Sequence, residues 1–179
     1  MALSSTMYTF DVNLSDVDRN VYEALNVRAA QHPSETPEAL VARLLAYCLE
    51  YTEGIAFSKG LQEPDEPAVL VRDLTGRLVK WIDVGTPDAA RIHRASKLAD
   101  AVAIYTHKDA AALVRQLGAE RIHKAERIPV YGIDRELIAE LVEVLDRRMK
   151  LDLMVTERTL YVTIGARTLT GEVVEHRIG

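Results

Sequence analysis

The chain has 179 residues, 48% of them apolar, and a net charge of −5. That suffices for a single domain, 1–179, with a sizeable core, and no apolar run approaches the roughly 18 residues a membrane span needs. The acidic balance excludes a protein that coats nucleic acid by bulk electrostatics, while leaving room for a local basic patch.

The start, MALSSTMYTFDVNL, has no basic stretch leading into an apolar one, so it does not read as a secretory signal. The single Cys48 can form no intramolecular disulfide, which suits a reducing cytoplasm. Residues 5–14, STMYTFDVNL, alternate and are rich in β-formers, which predicts a strand. Residues 21–30, VYEALNVRAA, have fair helix propensity, but their alternation favours a second strand paired with the first. Thr36 can cap a helix that has Pro37 at its first position. Leu40, Val41, Leu44, Leu45 and Cys48 then recur at helical spacing.

Three short β-type runs follow: IAFSKGL, PAVLVRDL and RLVKWIDVG. Asp73-Leu74-Thr75-Gly76 joins the last two with a type I turn signature and an expected bulge at the glycine. Thr86-Pro87-Asp88 repeats the Thr-Pro helix start, for a helix running to about Asp100. AVAIYTH reads as a buried strand, 109–117 as a helix ending at Gly118, and RIPVYGI as another strand. A helix is expected from Asp134 to about Met149, and the tail from Leu151 as three antiparallel strands. The strand-helix-strand unit from 77–84 to 101–107 should be a right-handed parallel crossover. The expected class is α/β: a mixed sheet flanked by helices, with terminal antiparallel strands forming a second sheet or an extension.

The stretches HPSET (32–36), RLLAY (43–47), GL (60–61), DEP (65–67), WIDVG (81–85) and PD (87–88) resemble the YaeQ family over essentially the whole chain. The resemblance implies a variant of the PD-(D/E)xK, restriction endonuclease-like fold. Such a nuclease holds Mg²⁺, or Mn²⁺, with two carboxylates, while a lysine steadies the attacking water and the developing charge. RLVKWIDVG fits the third strand of that fold, with apolar residues leading to Asp83, but Gly85 stands where the lysine is expected.

Hairpin geometry selects the partner acid. Pairing Asp73 with Arg77 places Asp83 opposite Pro67 and Asp65 opposite Gly85. Asp73 then lies roughly 20 Å from Asp83, at about 3.3 Å per strand step, and reads as a turn residue. Asp65 and Asp83 share a face; a register slip of one residue favours Glu66 instead. The plain alternative is that the acids of EPDEP are solvated and that Asp83 caps a turn. By resemblance, Glu35 adds a third carboxylate, or else it only favours a helix N-terminus. Arg91, His93, Arg94 and Lys97 are candidates for the missing cation, and Lys97 is the choice by analogy with nucleases whose lysine has moved to this helix. The alternative is a solvated basic face. Two functions follow as expectations: a Mg²⁺-dependent nuclease or phosphodiesterase, or a non-catalytic module on a decayed nuclease fold that binds nucleic acid or protein.

Overall fold

A computed structural model describes residues 4–58 and 66–179. The first hairpin is β1 (Thr6–Asp16) and β2 (Val21–Gln31), in unbroken antiparallel register from Thr6 opposite Gln31 to Asp16 opposite Val21. Alternation therefore prevails over helix propensity in 21–31, because Val27 and Ala29 gain a buried face. Helix α1 (Pro37–Leu49) follows, and the Thr36 hydroxyl accepts from the Ala39 N–H at 3.1 Å, as its cap position predicts.

Next come β3 (Ile55–Phe57), β4 (Val69–Arg72), β5 (Leu78–Val84), α2 (Ala89–Leu98) and β6 (Ala101–Thr106). After these come α3 (Ala110–Gly118), a 3₁₀ turn at Ala125–Arg127, β7 (Pro129–Ile133), α4 (Arg135–Glu143), β8 (Arg148–Thr156), β9 (Thr159–Ile164) and β10 (Arg167–Arg177). The class is the expected mixture of helices and a mixed sheet. Helix α2 departs from the Thr-Pro analogy: its cap is Asp88, whose carboxylate accepts from the Arg91 N–H at 2.8 Å, so the helix begins at Ala89. Helix α4 ends at Glu143 rather than near Met149. From Arg148 onward strict alternation buries Met149, Leu151, Leu153 and Val155 on one face, and a strand buries that set where a helix would scatter it.

The chain divides into two compact units, Met1–Val41 with Ile133–Val173, and Ala42–Gly132 with Val174–Gly179. In the first unit the strand order is β2-β1-β8-β9-β10. The terminal strands join as expected, but β1 meets β8 in parallel, with Leu14 opposite Leu153, while β8, β9 and β10 run antiparallel. One face buries Phe10, Val12, Leu14, Leu151, Leu153 and Val162. Helix α4 lies close on β10: a Cβ at Gly171 would come within 2.7 Å of the Leu137 Cβ, so only glycine admits the helix there. The β8–β9 turn holds Glu157 and Arg158 in the left-handed region, and Asp18 accepts from both of their N–H groups at 2.7 and 2.9 Å.

In the second unit the order is β7-β6-β5-β4-β3. Strands β4 and β5 are antiparallel and β5 and β6 parallel, as the crossover rule requires. Trp81, Ile92, Val102, Ile104, Leu113 and Leu117 belong to its core. Asp73 forms the hairpin turn: its N–H donates to the Arg77 carbonyl, and its carboxylate accepts from Thr75 and Arg77. The irregularity lies between Val71 and Arg72 rather than at Gly76, and it shifts the register by one residue. Val69 is opposite Ile82, and the ladder ends there, one residue before Asp83 on β5.

Candidate cleft at Asp83, Glu66 and Arg91

Trp81 and Asp83 alternate onto the face of β5 that meets α2. The Asp83 side chain is 4% exposed, so its charge requires a partner. Arg91 supplies it. Its Nε donates to Asp83 Oδ2 at 2.7 Å and its Nη2 to Oδ1 at 3.0 Å, a two-pronged charge-assisted pair. The same Nη2 donates to the Glu66 carbonyl at 2.7 Å, and the guanidinium lies 5.2 Å from the centre of the Trp81 ring. The local sequence explains the reach. Asp88 fixes the first turn of α2, and helical side chains lean toward the N-terminus, so Arg91 points back at the C-terminal end of β5.

A cleft of about 250 Å³ opens here, lined among others by Glu66, Pro67, Asp83, Thr86, Pro87 and Arg91. Glu66, three residues before β4, lines it with more than its backbone. Its Oε2 is buried and has no hydrogen-bond partner. Asp65 lies outside the described residues. Lys97 is not in the cleft: it stands exposed in the last turn of α2, six residues beyond Arg91, about 9 Å further along the axis at about 1.5 Å per residue. Glu35 precedes α1 rather than riding on it, in a turn of the other unit where its N–H donates to the His32 carbonyl at 2.8 Å. Asp73 sits in its turn as expected, and the Thr75 hydroxyl, with the Arg77 N–H next, holds its carboxyl below the usual value.

Lys97 does not line the cleft, whereas Arg91, another of the candidate cations, does. Its first-turn position was the available signal, because a site at the end of β5 faces the start of α2. Gly85 has a reason of its own: its φ is +108°, a conformation side chains rarely adopt, and its N–H donates to the Tyr105 carbonyl at 2.8 Å. Glycine at residue 85 is thus a backbone requirement at the strand-to-helix bend. Arg91 engages both Asp83 oxygens, and Glu66 Oε2 in the same cleft is buried without a hydrogen-bond partner. No group of three or more His, Cys, Asp or Glu converges among the described residues.

These features define a mixed α+β protein with an Arg-neutralised aspartate in a small acidic cleft. A family model described as YaeQ protein matches residues 1–173, and the chain belongs to the YaeQ family. YaeQ of Escherichia coli strain K12 is 32% identical over 164 residues, 91% of each chain, and YaeQ of Salmonella typhi is equally similar. The crystal structure of YaeQ from Pseudomonas syringae superposes with a TM-score of 0.87 at 31% identity, covering 98% of both chains. That of YaeQ from Xanthomonas axonopodis pv. citri gives 0.82 at 26%, covering 98% of this chain and 100% of that one. No helix among the described residues is long and apolar enough to cross a membrane.

Proposed function

We propose that the cleft is the site of a cytoplasmic, divalent-cation-dependent phosphodiesterase of variant PD-(D/E)xK type, with Asp83 and Glu66 as cation ligands and Arg91 in the role of the missing lysine. The buried, unpartnered Glu66 Oε2 beside Asp83 carries the reading, because a desolvated carboxylate oxygen calls for a cation. Mg²⁺ or Mn²⁺ held there would activate water and offset charge on the phosphate. The protein's own contribution is Arg91, whose planar fork suits a phosphate oxygen as well as a carboxylate. Nucleic acid is the substrate class that this chemistry serves.

A second reading rests on a different observation. Arg91 already engages both oxygens of Asp83, which is what a decayed, non-catalytic module would keep for stability. Calorimetric titration with Mn²⁺ separates the two. The catalytic reading expects binding in the wild type, strong weakening in Asp83→Asn and Glu66→Gln, and no change in Asp73→Ala. It also expects metal-dependent cleavage of single-stranded or duplex nucleic acid that falls on the order of 10²–10³ in Arg91→Ala while Lys97→Ala stays near wild type. Equal Mn²⁺ binding by wild type and Asp83→Asn overturns the site, and metal binding without cleavage of any nucleic acid leaves the binding module.

A further inference from the structure

We propose that Arg91 is a latch on the cleft: it competes with a divalent cation for Asp83 and holds the site closed until the cation displaces it. This rests on the reading of Asp83 and Glu66 as cation ligands, and it adds how that site is controlled. The fork of Arg91 covers the carboxylate that the cation needs. Its Nε donates to Oδ2 at 2.7 Å and its Nη2 to Oδ1 at 3.0 Å, so each oxygen of Asp83 already has a cationic partner. The oxygens keep further lone pairs, but an ion that used them would lie within a few ångströms of the guanidinium. Asp83 is 4% exposed, so little water screens two cations held that close, and they repel. Loading the site therefore requires the fork to leave Asp83.

The second acid of the cleft argues for a latch rather than a permanent strut. Glu66 gives Arg91 its carbonyl, at 2.7 Å, while its buried Oε2 has no hydrogen-bond partner. Among the described residues that line the cleft, the charged ones are Asp83, Glu66 and Arg91, two acids and one base. The arginine balances one acid only. A divalent ion balances both and frees the guanidinium for an anion. That planar fork fits the oxygens of a phosphodiester as well as those of a carboxylate, but it cannot serve both at once. Cation and phosphodiester thus favour the same open state, and each should tighten the binding of the other. The molecule carries its own reporter of the movement. Trp81 is the single tryptophan, 1% exposed, and the guanidinium lies 5.2 Å from the centre of its ring. A charge over the face of an indole alters its emission, so departure of Arg91 is read directly.

The test uses the full chain, stripped with a chelator and then titrated with Mn²⁺ by calorimetry and with diamagnetic Mg²⁺ by fluorescence. Mg²⁺ should change the Trp81 emission of the wild type and leave that of Asp83→Asn and Arg91→Met unchanged. Arg91→Met should bind Mn²⁺ at least about tenfold more tightly than the wild type. Dimethyl phosphate, an unreactive phosphodiester, should tighten Mn²⁺ binding several-fold in the wild type and not in Arg91→Met. Circular dichroism checks that each variant folds. Arg91→Lys keeps the charge beside Asp83 without the fork, and its Mn²⁺ affinity should fall between the other two. The emission change of the wild type needs no variant at all. Where the wild type binds Mn²⁺, a silent Trp81 or equal affinity in Arg91→Met overturns the latch and leaves the cation site standing. Mn²⁺ bound by neither protein overturns both. Binding by Arg91→Met alone supports the latch, as one too tight for that cation to open.

Discussion

Asp83 and Arg91 show how one buried charge sets the terms for its neighbours. The aspartate is almost fully enclosed, the arginine side chain only 24% exposed, and both oxygens of the one are taken by the fork of the other. Removing one member of such a pair leaves an uncompensated charge, at a cost of about 3 kcal/mol, whereas an apolar pair of similar volume is often neutral. Arg91→Ala should therefore lower the unfolding free energy read from urea denaturation by that amount, and Arg91→Met with Asp83→Leu should recover most of it. A double variant no more stable than Arg91→Ala would mean that the pair is not the source of the loss. Lysine at residue 91 would be a poor substitute, because a point charge cannot bridge both oxygens and the Glu66 carbonyl.

At the scale of elements, the β4–β5 hairpin governs what the cleft contains. Its turn residue was legible: Asp first and Gly fourth in Asp73–Gly76 specify the turn, and the carboxylate does cap it. The one-residue shift at Val71 and Arg72 was not, since a bulge leaves no mark in the alternation of so short a strand. Similarly, Leu145 and Met149 continue a helical spacing that the period-two pattern of 148–156 overrides once a neighbouring strand is available. The turn itself is testable by pH. The Asp73 carboxyl is held below its ordinary value chiefly by the Thr75 hydroxyl. A depressed folded value means that its stabilisation is present above the unfolded value and is lost as pH falls through the folded one. Thr75→Ala should move the Asp73 midpoint, followed by NMR, upward toward the ordinary carboxylate range. An unmoved midpoint would remove the hydroxyl from the explanation.

Across the whole molecule, the class and most elements followed from periodicity, while the parallel union of β1 with β8 could not, because nothing local encodes a partner so distant in sequence. Leu14 and Leu153 meet in that union, 2% and 1% exposed. Leu153→Ala should cost about 3 kcal/mol in chemical denaturation and speed hydrogen exchange in β1 as well as β8. Protection in β1 that survives the change would show that the two strands open independently. The same union has a consequence for biosynthesis. The hairpin β1–β2 leaves the ribosome while β8 is still untranslated, and Asp18 has no turn to brace. At about 5–20 residues per second the wait is on the order of ten seconds. For that interval Phe10, Val12 and Leu14 lie on a strand with one edge open, an edge that a chaperone would have to shelter.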